Sequence, residues 1–214
     1  MIDLTIVTTW YQSHDATRSR ELEAAVQRTY ESGYVVKILT QGAAPPVPIN
    51  HESRRSVAYQ PTRPTFADAV RAVEPGGLIC ILNTDCYLEK PIPQLTGLLD
   101  GTLAVVLSRH EAHLTPPSRM WSSDSQDAWI FRVPTDPARL KTLLDGCNYF
   151  FGIRGCDNAF AYALKQSGFT VRNYGDGIKV MHVHKSDIRD YGPVAVPPPY
   201  LFVPVEPLDE RGPT

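Results

Sequence analysis

The stretch Leu78-Ile79-Cys80-Ile81-Leu82-Asn83-Thr84-Asp85 decides the fold. Five apolar residues follow one another between Pro75-Gly76-Gly77 and a polar triplet. Strict alternation would mark a strand with one wet face. An unbroken apolar run of this length marks a strand buried on both faces, as in a parallel sheet covered by helices. Upstream, Leu4-Thr5-Ile6-Val7 reads as a first strand ending in Thr8-Thr9. Residues 17–32 carry Leu22, Ala25, Val26 and Tyr30 at helical spacing, and Gly33 stops them. Residues 34–39 read as a second strand, so the chain opens strand–helix–strand, which predicts a parallel pair.

Further along, residues 42–64 read as mostly loop, with a short strand near Val57-Ala58-Tyr59. Thr65 can cap a helix from Phe66 to about Val73. A helix is expected around Ile92 to Leu99 and a strand over residues 103–108. Residues 112–124 read as polar loop. A strand is expected at Trp129-Ile130-Phe131, helices over 138–144 and 157–167, and strands over 169–172 and 178–184. The class is α/β: one domain with a central, mostly parallel sheet flanked by helices, ending in an extended proline-rich tail.

Composition limits the function. The 214 residues hold 21 basic and 23 acidic side chains for a net charge of −2, and 43% are hydrophobic. Neither wholesale disorder nor a dominant basic surface fits these values. No apolar run approaches the roughly 20 residues of a membrane helix, and Met1-Ile2-Asp3-Leu4 lacks a basic leader, so a cytoplasmic protein is expected. Cys80, Cys86, Cys147 and Cys156 form no C-x-x-C pair and are expected to be reduced thiols. There is no P-loop, no G-x-G-x-x-G after the first strand and no G-x-S-x-G elbow.

Four segments carry candidate chemistry. Asn83-Thr84-Asp85 follows the buried strand, where open α/β sheets bind ligands. A carboxylate there can hold Mg²⁺ or Mn²⁺ against a diphosphate, or the triplet can be an ordinary turn. Gly155-Cys156-Asp157-Asn158 opens a helix. Asp157 is either a base for a hydroxyl proton, kept ionised by the helix N-terminus, or a plain cap. His182 and His184 share a strand face, as metal ligands or as core histidines, and Lys185 and Ser186 after them can reach a phosphate. Ser125-Gln126-Asp127 precedes Trp129, which either packs on a sugar face or enters the core.

Taken in order, these segments resemble small predicted glycosyltransferases of the GT-A type, related to the family 2 enzymes. The resemblance runs from residues 4–9 through Arg63-Pro64-Thr65-Phe66, Asn83-Thr84-Asp85, Ser125-Gln126-Asp127-Ala128-Trp129-Ile130-Phe131, Gly155-Cys156-Asp157-Asn158 and His182-Val183-His184-Lys185-Ser186 to Pro198–Pro204. It implies a nucleoside-diphosphate sugar as donor, a UDP-sugar first, with Mn²⁺ or Mg²⁺. It places Thr8, Thr9 and Trp10 at the nucleotide, Arg63, Thr65 and Asp68 by the base and ribose, and Asn83 and Thr84 beside the diphosphate. Asp85 then binds metal, with His182 or His184 completing the site. The family's D-x-D reads N-x-D here, which weakens the case for strict metal dependence. Asp157 becomes the base of an inverting transfer, with Asp127 as the second choice.

On this reading residues 1–109 bind the donor, 110–192 carry the acceptor and the base, and 193–214 strap along the domain. The acceptor hydroxyl is open: glycan, small molecule or a hydroxymethylated base in DNA, the last if Arg18, Arg20, Arg54, Arg55 and Arg63 gather into a basic rim. A sugar nucleotidyltransferase and a non-catalytic nucleotide- or carbohydrate-binding module are the alternatives. The absence of glycine after the first strand argues against the former.

Overall fold

The computed structural model describes residues 3–42, 44–45, 54–89, 92, 99–114, 118–119, 125–186, 188 and 194–208. Its centre is a seven-stranded sheet of β1 (Leu4–Trp10), β2 (Val35–Thr40), β3 (Arg55–Tyr59), β4 (Leu78–Leu82), β6 (Leu103–Leu107), β9 (Ala128–Arg132) and β10 (Thr170–Asn173). The order is β10-β6-β9-β4-β1-β2-β3. All pairings are parallel except those of β9 with β4 and β6. A smaller sheet joins β5 (Cys86–Leu88), β11 (Val180–His182), β7 (Arg109–Glu111) and β8 (Ser118–Arg119) in that order.

The five residues of β4 are all buried, and their alternation divides the core. Leu78, Cys80 and Leu82 face α1 (Ala16–Glu31) through Leu22, Val26 and Tyr30. Ile79 and Ile81 face the opposite layer. That layer is built from α2 (Phe66–Arg71), α3 (Pro137–Gly146) and α4 (Cys156–Gln166), through Phe66, Leu143, Phe160 and Leu164. Phe66 stacks on Phe151 at 4.1 Å between ring centres and meets Trp129 edge-on at 5.3 Å. Trp129 is fully buried, which excludes it as a sugar platform.

Several local expectations change. The strand near Val57 starts earlier, at Arg55, and pairs parallel with β2. The helix after Thr65 stops at Arg71 because Ala72 already turns the chain. The strand expected over 178–184 is confined to Val180–His182, and His184 lies just beyond it. Residues 112–124 are not all loop, since β8 pairs with β7 within them. The helix expected around Ile92–Leu99 falls largely on residues 93–98, outside the described residues. All four cysteines are free and buried. Among the described residues no helix is long and apolar enough to cross a membrane.

The tail lies along the domain as an extended segment, bridging Arg154 with Ala195 and Asn173 with Val205. Leu201 N donates to Asn158 O at 3.0 Å, and Arg172 pairs with Glu206 at 2.8 Å. Tyr200 packs on Gly155, where an added Cβ would meet its hydroxyl at 2.7 Å. Phe202 is exposed.

Candidate active site

The carboxyl ends of β1, β4 and β6 lie at one edge of the sheet. β9 runs the other way, so its beginning reaches the same edge, with Ala128 opposite both Leu82 and Leu107. Residues 125–127 therefore meet Asn83-Thr84-Asp85 across the strand ends. The start of α4 closes one side and the end of β11 another. Between them is a cleft of about 350 Å³, lined by Thr9, Trp10, Arg18, Arg63, Asn83, Thr84, Asp85, Arg109, Ser125, Asp127, Asp157, His182 and His184, among others.

One face of the cleft is a charged chain. Asp85 Oδ2 lies 2.6 Å from Arg18 Nη2, 3.2 Å from His182 Nε2 and 3.8 Å from His184 Nδ1. His182 Nδ1 is 3.0 Å from Glu111 Oε2, and Arg109 Nε donates to Glu111 Oε1 at 3.0 Å. Burial disfavours every charge here, but the partners outweigh it. The His182 and Arg18 cations hold Asp85 well below the usual carboxylate range. Hydrogen bonds to Asp85 and Glu111 raise His182 to about 9, and His182 and Arg109 lower Glu111 to about 2. Burial and the Arg18 charge push His184 the other way, down.

Asp85, His182 and His184 bring one ligand atom each within 4.8 Å of one another. One carboxylate and two imidazoles suit a first-row divalent ion. Two further observations fit such an ion. Glu111 holds the far nitrogen of His182, as carboxylates do behind metal-binding imidazoles. His184 Nε2 is buried with no hydrogen-bond partner among the described residues.

The other face carries two more acids. Asp127 has several partners: Asn83 Nδ2 donates to Oδ1 at 2.9 Å, Ser125 Oγ donates to Oδ2 at 3.2 Å, and Arg109 Nη1 lies 3.5 Å from Oδ2. Among the described residues Asp157 accepts from Cys156 Sγ, at 3.1 Å. It is not the cap of α4: Gly155 holds that position at φ 77° and Asp157 sits in the first turn. The expectation that Asp157 stays firmly ionised is corrected. Burial, followed by the charge of Asp127, pushes its carboxyl up to about 7, more than the helix terminus offsets.

The remaining candidates divide. Thr9 and Trp10 line the cleft, and Thr9 Oγ1 meets Thr84 Oγ1 at 2.6 Å, while buried Thr8 is not among the lining residues. Arg63 lines the cleft, but Thr65 and Asp68 close on each other in a reciprocal cap of α2. Asn83 does not extend from the strand beside Asp85 on one face, because the chain turns at Thr84 and Asp85. Lys185 offers its backbone N to Glu21 Oε1 at 2.7 Å, and its exposed side chain lies outside the lining. The arginines do not gather: Arg55 sits over the Tyr30 ring and Arg54 bonds Gly33 O, while Arg18 is buried against Asp85.

Glu111, Arg109 and Glu21 escaped assignment from the sequence. Glu111 falls beside a stretch with no apolar pattern. Arg109 directly follows the strand expected over residues 103–108 and carries no motif of its own. Glu21 sits in an ordinary polar helix face, and its partners lie 164 and 165 positions away.

A mostly parallel sheet with one reversed strand and a cleft lined by charged side chains at the strand ends defines a GT-A-like fold. Solved structures bear this out. The chain superposes on the mannosyltransferase PcManGT from Pyrobaculum calidifontis, solved with GDP-Man and Mn²⁺, with a TM-score of 0.54 at 13% identity over 86% of this chain and 58% of that one. It also superposes on TarS 1-349 from S. aureus, solved with UDP-GlcNAc, with a TM-score of 0.56 at 9% identity over 88% and 60%. The chain thus spans about three fifths of either neighbour. No protein-family model matches it, and no curated protein matches it in sequence.

Proposed function

We propose that the chain is a glycosyltransferase moving a sugar from a nucleoside-diphosphate sugar to an acceptor hydroxyl with inversion. The observation that carries this reading is the pairing, in one cleft of a GT-A-like fold, of a cation-capable cluster with a carboxyl held near neutrality. The sequence resemblance and the nucleotide sugars bound by both structural neighbours support it. UDP-sugars are the first donors to test and GDP-sugars the second.

Asp85, His182 and His184 would hold the divalent ion, Mn²⁺ or Mg²⁺, which when bound offsets charge developing on the departing diphosphate. Glu111 keeps the His182 ring turned with Nε2 toward Asp85. Thr9, Trp10 and Arg63 line the donor side. Asp157 takes the proton from the acceptor hydroxyl as that oxygen bonds to the anomeric carbon. The bond from that carbon to the diphosphate oxygen breaks, and its electron pair leaves with the diphosphate. A base poised near the working pH suits this role. Asp127, fixed by Asn83, Ser125 and Arg109, orients hydroxyls. The two acids thus divide the work by environment. Residues 1–109 serve the donor, 110–192 the acceptor, and the tail from 193 backs the start of α4.

A thermal-shift screen against UDP-, GDP- and CDP-sugars with and without Mn²⁺ tests the reading, because a ligand of the native state raises its melting temperature. A donor-selective shift that grows with Mn²⁺ is expected. No shift with any donor would overturn the reading.

A further inference from the structure

Asp85 Oδ2 is the oxygen that faces both imidazoles, and it is already engaged. A carboxylate oxygen has two lone pairs. Here they meet Arg18 Nη2 at 2.6 Å and His182 Nε2 at 3.2 Å. The other oxygen, Oδ1, faces Cys86 Sγ at 3.6 Å among the described residues. The Arg18 side chain is 6% exposed and enters the cleft from α1. A guanidinium stands on the oxygen a divalent ion would need, and with asparagine at position 83 the triplet offers no second carboxylate in exchange.

Arg18 also has somewhere to go. Its Nη1 lies 3.3 Å from Glu21 Oε2 one turn along α1, and Tyr11, on the cleft wall, adds a side-chain hydrogen bond. Glu21 does not depend on Arg18 for its position. Its carboxylate accepts from Lys185 N at 2.7 Å, Ser186 N at 3.0 Å and Ser186 Oγ at 2.9 Å. The guanidinium can therefore leave Asp85 while staying tethered to a fixed anion.

We propose that Arg18 is a resident counter-ion that competes with the divalent cation for Asp85, setting a low intrinsic metal affinity and releasing the carboxylate as the ion enters. This rests on the reading that Asp85, His182 and His184 form the ion site. It makes Arg18 a positioning residue.

The test is Mn²⁺ binding, read from the electron paramagnetic resonance signal of free Mn²⁺, for the full chain, Arg18→Met, Arg18→Gln and Asp85→Asn. Removing the competing charge is expected to tighten binding at least tenfold in both Arg18 variants, with Asp85→Asn binding weakest. Equal or weaker binding by the Arg18 variants, with Asp85→Asn still impaired, would overturn the counter-ion role and leave the ion site standing. No Asp85-dependent binding in any variant would overturn both. Should the variants fold poorly, the native chain answers by ¹⁵N spectroscopy of the Arg18 side chain during Mg²⁺ titration. Its signals are expected to move in step with the His182 and His184 rings. Rings that respond beside an unmoved Arg18 would overturn the proposal.

Discussion

Asn83 Nδ2 donates to Asp127 Oδ1 at 2.9 Å, so the residue that follows β4 fixes an acid that stands just before the neighbouring strand β9. Asn83→Asp turns that hydrogen bond into a contact between two carboxylates. Loss of the bond together with repulsion is expected to cost about 1–3 kcal/mol at pH 8. The cost should shrink near pH 4, where protonation of the introduced carboxylate relieves the repulsion. Denaturant unfolding at both pH values checks this, and an equal effect at both would refute it.

On the proposed function, Asp157 is expected to set the pH dependence of transfer. A carboxyl pushed up to about 7 by burial and Asp127 is ionised above that value and loses its charge below it. The acid limb of the transfer rate is therefore expected near pH 7. Asp157→Asn should leave binding of the donor found in the screen intact and lower the rate by about 10²–10⁴-fold, the usual range for a general base. Asp127→Asn removes the neighbouring charge, so its acid limb should move to lower pH. A limb that stays in place would separate the two acids.

The stability sign for Asp157 runs the other way from that of a salt-bridged acid. Its folded value lies above the ordinary 3.8, so the native state binds the proton more tightly than the unfolded chain does. Its contribution is full below about pH 4 and is lost as pH rises through about 7. Asp157→Asn keeps an uncharged group there, and the variant is expected to gain stability relative to the parent between pH 5 and 8. Parallel melting curves across that range would contradict the assignment.

Gly155 has φ 77°, and Tyr200 fills the space a side chain would take. Gly155→Ala is expected to lose about 1–3 kcal/mol, from backbone strain and the clash together. Combining it with Tyr200→Ala should recover the steric part only. Full additivity of the two losses would show that the contact does not matter.

All four thiols are buried, and burial raises Cys80, Cys86, Cys147 and Cys156 above the ordinary thiol value. None is expected to react with a disulfide reagent at pH 8 in the native protein, and all four should react in denaturant. Rapid labelling of the native protein would refute this burial pattern.

The layers were legible because apolar spacing records them. The unbroken run of β4 and the helical spacing of Leu22, Val26 and Tyr30 each gave a strand or helix whose partners then followed. The acids and histidines of the cleft were legible singly, as residues after strands or at a helix start. Their company was not. Arg18 and Asp85 pair across 67 positions and Glu111 and His182 across 71, and no local pattern encodes such a pairing. The reversal of β9 was hidden for the same reason: a strand buried on both faces reads alike in either direction. The ionisation of Asp157 was misjudged because burial by distant chain outweighs the helix end beside it.

The clamp between Glu21 and Ser186 has a consequence for how the molecule comes into being. It joins two residues 165 positions apart in the chain. Closing so long a loop is slow and is repaid only by contacts made at the end. A growing chain can hold β1, β4 and β9 together, with Asp85 and Asp127 in place, before either imidazole has left the ribosome. Until residues 182–186 arrive, the nascent cleft lacks one of its walls. Completion of the cleft is thus a late event in folding, and a chain cut short before β11 would leave it open.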